Sequence, residues 1–110
     1  MKTICFDLDG VICTNTWGDY NNAIPNQKAI EKINYLYKKN YKIIIHTARF
    51  MGRNSEDPIK ANAEGYDLTC IQLNKWKVKY HKLIMGKPSY DVVVDDKSIF
   101  YSENWIYNLE

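Results

Sequence analysis

No apolar run in this 110-residue chain approaches the ~20 residues needed to cross a bilayer. No basic n-region followed by an apolar h-region opens it. The protein is therefore expected to be soluble and cytoplasmic, with no membrane partner. Cysteine is scarce: Cys5, Cys13 and Cys70 are odd in number, widely spaced and form no metal-type pair. Reduced packing residues are expected, which excludes a disulfide scaffold and a structural zinc site. Neither sign of charge dominates. Fifteen basic against 13 acidic side chains leave a net charge of +2, which demands neither nucleic acid nor an anionic membrane as partner. Low-complexity tracts, long linkers and internal repeats are also missing. The expectation is one domain over residues 1–110, large enough for a single core.

What is present concentrates at the beginning. The β-prone residues Ile4, Cys5 and Phe6 lead into Asp7, Leu8 and Asp9 and end on Gly10, which permits a sharp turn. This predicts a buried strand with two carboxylates at its tip. Two such charges about 4 Å apart repel by roughly 4 kcal/mol at an effective dielectric near 20, so a cation is expected between them. Asp-Xaa-Asp-Gly also occurs in solvated turns and in calcium loops. The calcium-loop pattern fails here, because no Asp or Asn follows Gly10 and no Glu closes the loop.

Residues 13–22, which hold Trp17 and Tyr20, read as an irregular loop beside the acidic tip. Pro25 then opens an amphipathic helix of about fourteen residues with Ile30, Ile33, Leu36 and Tyr37 on one face, stopped by Lys38, Lys39 and Asn40. Residues 41–47 form a β-branched run of the kind buried on both faces of a parallel sheet. The polar segment 50–57 precedes a second helix that starts at Asp57-Pro58, a capping side chain and a first-turn proline. Ala63, Tyr66, Cys70 and Leu73 recur there at helical spacing, although Gly65 weakens the helix by roughly 1 kcal/mol. Residues 78–85 predict a third strand, Gly86 to Pro88 a turn, residues 91–95 a fourth strand, and residues 98–109 a terminal helical pattern.

This alternation is an α/β pattern, and right-handed crossovers make the sheet mainly parallel. Ligands of such sheets bind outside the carboxyl ends of the strands. The residues there are Asp7, Asp9, Thr47, Lys87, Asp95 and Asp96. Carboxylates with one hydroxyl and one ammonium suit a hard divalent cation, Mg²⁺, and a phosphate whose oxygens Thr47 and Lys87 hold.

The ordered runs FDLDGVI, IIIHTAR, GKP and VVVDD resemble the four motifs of the haloacid dehalogenase (HAD) superfamily, specifically its phosphatase branch. The resemblance spans Lys2 to about Lys97. The stretch from Trp76 to Lys97 is also similar to small members found with capsule and surface-polysaccharide enzymes. The resemblance implies a three-layer Rossmann-like core without a cap domain. On it, Asp7 is the nucleophile that forms an aspartyl-phosphate, and Asp9 protonates the leaving alcohol and then deprotonates water. Thr47 and Lys87 steady the phosphoryl group. Asp96, with Asp95 beside it, completes the Mg²⁺ site with Asp7 and the main-chain carbonyl of Asp9.

With no cap, substrate selection falls to loops. Trp17, Ala48, Arg49 and Arg53 are the candidate substrate contacts beside Thr47 and Lys87. Each has a plainer reading: the arginines as solvated charges, Thr47 as a strand end, Lys87 as a turn lysine, and Asp95 and Asp96 as a helix cap. His46 and His81 read as structural. The tyrosines and Trp105 read as core or interface residues, and an aromatic tail, if exposed, would favour self-association as a homo-oligomer. The expected function is hydrolysis of a sugar, polyol or amino-alcohol phosphate. The alternatives are a phosphatase of nucleic-acid or other macromolecular ends, for which no basic stripe with stacking aromatics is evident, and a non-catalytic metal- or partner-binding module.

Overall fold

The computed structural model describes residues 2–109. Three parallel strands, β1 (Thr3–Phe6), β2 (Lys42–Thr47) and β3 (Lys82–Met85), lie in the order β1-β2-β3. Helix α1 (Gln27–Lys38) connects the first pair and α2 (Pro58–Lys75) the second. A four-residue helix, α3 (Trp105–Asn108), closes the described chain. The result is a small Rossmann-like α/β fold with an open, all-parallel sheet, as the strand and helix alternation predicts.

Register decides which side chains are inside. Phe6 pairs with Ile45 and Ile45 with Leu83, while Thr47 pairs with Met85, and these residues share one buried face. On the other face Ile44, His46 and Ile84 are half-buried and Cys5 is exposed. Helix α1 covers the core with Ala29, Ile30, Ile33 and Leu36. Its N-cap is Asn26, whose side chain accepts from the Ala29 amide at 3.2 Å, so the helix begins two residues after Pro25. Asn40 at φ 70° supplies the left-handed stop that the sequence predicts.

Helix α2 starts as expected, with Asp57 Oδ1 accepting from the amides of Ile59 and Lys60. Its buried stripe, however, is Ala61, Gly65, Thr69 and Leu73, so Ala63 and Tyr66 face outward. The cause is Phe50: a Cβ on Gly65 would stand 2.1 Å from its ring. A bare helix face is required there, which accounts for a glycine in mid-helix.

Two strand expectations change. Only Lys82–Met85 of the 78–85 run joins the sheet, because His81 is used differently: its amide donates to the Ile43 carbonyl and its Nδ1 accepts from the Ile43 amide. Residues 91–95 form no strand, and Val92, Val93 and Val94 are exposed. The terminal helical pattern is realised only at Trp105–Asn108, where Trp105 packs against Phe6 with ring centroids 5.7 Å apart.

Candidate active site

Asp7, Asp9, Thr47 and Lys87 meet at the carboxyl edge of the sheet around one open cleft of about 670 Å³. Strand β1 delivers the first two, and Gly10 at φ 93° turns the chain immediately after them. A Cβ at Gly10 would crowd the Asn15 amide at 3.1 Å in a conformation that L residues rarely adopt. Thr47 ends β2, and its carbonyl accepts from the Lys87 amide at 3.1 Å, which pins Lys87 beside it.

The two carboxylates are held in different ways. Asp7 Oδ1 accepts from the Leu8 amide at 2.9 Å and lies 3.5 Å from Lys87 Nζ. Among the described contacts none goes to Oδ2, so one oxygen of Asp7 is left open to the cleft. Asp9 is clamped at both oxygens: Arg49 donates from Nε to Oδ2 at 2.8 Å and from Nη2 to Oδ1 at 2.9 Å. Arg49 is itself only 1% exposed. Its Nη1 donates to Gln72 Oε1 at 2.6 Å, and its guanidinium stacks 4.7 Å from the Tyr20 ring centroid.

This clamp ties three segments together. Gln72 Nε2 donates to the Tyr20 carbonyl at 2.8 Å, and the Phe50 amide donates to the Tyr20 hydroxyl at 3.1 Å. The loop beside the acidic tip is thereby fastened to α2. Gln72, behind the cleft, and Tyr90, which lines it, are residues that sequence reasoning misses; the only signal for Gln72 is a polar side chain flanking the buried stripe of α2. Cys13 completes the cluster. Its thiol is 3.4 Å from Asp9 Oδ1, and burial, with Asp9 adding to it and Arg49 opposing, pushes its pKa up to about 12. It stays a protonated packing residue, as expected of it.

Burial disfavours the Lys87 ammonium, but the Tyr90 hydroxyl and Asp7 outweigh that effect and raise its pKa above the ordinary lysine value. Lys87 is therefore a fixed positive charge at the cleft. His46 points to the same side of the sheet as Asp7. Burial first, and Lys87 second, lower its pKa, with Asp7 acting in the opposite direction.

The predicted substrate contacts divide. Trp17 stands at the cleft mouth, 93% exposed and free to meet a ligand. Arg53 also lines the cleft, although it donates to the Gly18 carbonyl at 2.9 Å and lies over the Phe50 ring. Ala48 lines it beside Thr47. Arg49 lines it too, but its donors are spent on Asp9 and Gln72, so in this arrangement it positions Asp9 rather than meeting a ligand.

Asp95 and Asp96 are not among the cleft residues, because the strand that was to carry them does not form. Asp95 instead accepts from the Lys97 amide at 2.9 Å in an exposed turn. Among the described residues no group of three or more His, Cys, Asp or Glu side chains is placed to hold a metal ion. The cleft donors nevertheless suit Mg²⁺ in kind, being the hard oxygens of Asp7 and of the Asp9 main chain. Mg²⁺ commonly keeps several waters and takes only one or two carboxylates together with substrate phosphate.

No family model matches this chain, and no curated protein matches it. Its fold is similar to a crystal structure of an MCSG target from Vibrio cholerae, with a TM-score of 0.83, 28% identity, and coverage of 99% of this chain and 96% of that one. It is also similar to chains of a Pnkp1/Rnl/Hen1 complex (TM-score 0.57, 22% identity) and of the Pnkp1/Rnl/Hen1 RNA repair complex (TM-score 0.55, 19% identity). Each of these alignments covers 97% of this chain, but only 32% and 29% of the longer chains. No helix of the described residues is long and apolar enough to cross a membrane.

Proposed function

We propose that this chain is a Mg²⁺-dependent phosphomonoester hydrolase of the HAD superfamily that acts on a small phosphorylated metabolite, such as a sugar, polyol or amino-alcohol phosphate. The observation that carries the reading is the meeting of Asp7, Asp9, Thr47 and Lys87 at one end of a parallel sheet, on an open cleft. These residues come from three separate strand ends, and only the fold brings them together.

Asp7 Oδ2 attacks phosphorus in line, and the bond from phosphorus to the leaving oxygen breaks as the aspartyl-phosphate forms. Asp9 gives its proton to the leaving alcohol. Water then attacks phosphorus, Asp9 takes the water's proton, and the phosphorus–Asp7 bond breaks to release inorganic phosphate. Lys87 and the Thr47 hydroxyl hold the equatorial oxygens throughout. Asp7 and the main-chain carbonyl of Asp9 would hold Mg²⁺, which would supply charge neutralisation at the phosphoryl oxygens; Asp95 and Asp96, the other expected ligands, lie outside the cleft of this chain. Because both Asp9 oxygens accept from Arg49, one of those bonds must open and that oxygen take up a proton from water before Asp9 can deliver it. An incoming phosphate is a natural competitor for the guanidinium.

Several contributions are required. Uncatalysed phosphate monoesters hydrolyse so slowly that enhancements reach ~10²¹, whereas a positioned acid gives about 10²–10⁴ and a single electrostatic donor about 10²–10³. The test is phosphate release from a panel of phosphorylated metabolites with Mg²⁺ and with chelator, beside Asp7→Asn. Chelator-sensitive release that disappears in Asp7→Asn is expected, and release that persists in Asp7→Asn contradicts the reading. A macromolecular end is the second substrate class. Among the described residues nothing covers the cleft, Trp17 offers an exposed stacking surface at its mouth, and two similar folds occur in complexes of Pnkp1, Rnl and Hen1. End-phosphorylated oligonucleotides therefore belong on the panel.

A further inference from the structure

We propose that residues 91–96 of a second copy of this chain pair with the open edge of β1, so that each cleft receives its Asp95 and Asp96 carboxylates from the other copy. The role given to those carboxylates rests on the phosphatase reading; the strand exchange rests on the chain itself.

Among the described residues strand β1 is an edge, bonded to β2 on one side and to no strand on the other. Cys5 is exposed along it. The chain also carries a segment with the composition of a missing neighbour. Val92, Val93 and Val94 are β-branched and exposed, Val94 at 96%. They end in Asp95 and Asp96 just as β1 ends in Asp7 and Asp9, and the turn after them is already formed, with Ser98 Oγ donating to the Asp95 carbonyl at 3.1 Å.

The segment cannot reach its own β1 in the useful direction. Placing the acidic pair beside Asp7 requires a parallel strand with Asp91 near the level of Thr3. Lys87 is fixed to Thr47, at the opposite end of the sheet and on the β3 side. Ser89 is fixed there as well, its amide donating to Glu56 Oε1 at 2.9 Å. Thr47 lies five residues beyond Lys42, the partner of Thr3, a rise of about 17 Å at ~3.3 Å per residue. Three inter-strand spacings add about 14 Å across the sheet. The direct path is therefore roughly 22 Å, whereas the four residue steps from Lys87 to Asp91 span at most about 14 Å. An antiparallel pass would leave Asp95 and Asp96 at the wrong end of the sheet. A second copy is free of this tether, and short hinge segments favour exchange of this kind.

Cysteine coupling tests the pairing without reference to activity. In a parallel pair, either residue 93 or residue 94 shares the face of Cys5, so Val93→Cys and Val94→Cys are oxidised separately and run without reductant. One variant is expected to give a covalent dimer that disappears on adding Cys5→Ser, while the other couples poorly. A monomer with no Cys5-dependent dimer, or a bond closed within one chain, overturns the proposal. The second test purifies a heterodimer of Asp7→Asn with Asp95→Ala/Asp96→Ala, using two affinity tags. Exchange leaves one intact cleft in two, so about half of wild-type turnover is expected, although each parent dimer is inactive. A silent heterodimer beside an active wild type overturns the proposal. Covalent dimers from a wild type without turnover uphold the exchange and reject the phosphatase reading.

Discussion

At the scale of single residues, the Asp9–Arg49 pair dominates. Arg49 has no exposed side-chain surface and Asp9 little, so removing the cation strands a largely desolvated carboxylate at the cleft floor. Breaking such a pair costs about 3–5 kcal/mol. Arg49→Ala is accordingly expected to lower unfolding stability by about 3 kcal/mol or more in urea titrations. A loss below about 1 kcal/mol would show the pair to be solvent-screened. Lys87→Met removes the fixed charge facing Asp7 and is expected to reduce turnover about 10²–10³-fold while leaving the fold in place, as read by circular dichroism. His46 supplies a pH dependence. Its pKa in the folded protein lies below the ordinary 6.5, so between those two values the unfolded chain binds more protons and stability rises with pH. The contribution is complete above about pH 6.5 and is lost as the pH falls through the folded value. In metal-free protein, His46→Gln is expected to flatten the decline of the unfolding midpoint between pH 7 and pH 5. An unchanged slope would assign that decline to other groups.

At the scale of elements, Gly65 and Phe50 form a lock between α2 and the segment that follows β2. A methyl group at Gly65 would meet the Phe50 ring at 2.1 Å. Gly65→Ala, which improves helix propensity by up to ~1 kcal/mol, is nevertheless expected to destabilise by about 1–3 kcal/mol through overpacking. Thermal unfolding checks the sign. This glycine also marks where sequence reading stops. β-prone runs, period-3.6 patterning and a capping pair sufficed to place β1, β2, α1 and the Asp57 cap. The expectation of burial fails on one face of the sheet, where Cys5 is exposed and Ile44 and His46 are half-buried, because that face and the β1 edge lack a covering partner among the described residues. Periodicity selected the wrong stripe on α2, because that stripe is set by a phenylalanine fifteen residues upstream. Asp7, Asp9, Thr47 and Lys87 were legible as the polar ends of strands. The Arg49 clamp and Gln72 were not, since neither spacing nor residue type records which distant carboxylate an arginine meets. Residues 91–95 have strand composition but no strand, because composition says nothing about whether a partner edge lies within reach.

At the scale of the whole molecule, the open sheet, the unlidded cleft and the exposed valine run belong together. A parallel sheet gathers polar groups at one end, and an edge left open beside Asp7 leaves that end accessible to a further strand. The central claim concerns one atom group, the Asp7 carboxylate. It is tested by turnover of p-nitrophenyl phosphate with Mg²⁺ in the presence of borohydride, which reduces an acyl phosphate to the alcohol, followed by mass spectrometry of the peptide carrying residues 7 and 9. Conversion of Asp7 to homoserine, with Asp9 unchanged and no conversion in the chelated control, is the predicted result. Turnover that proceeds with Asp7 unreduced, or with the label at Asp9, would contradict the account.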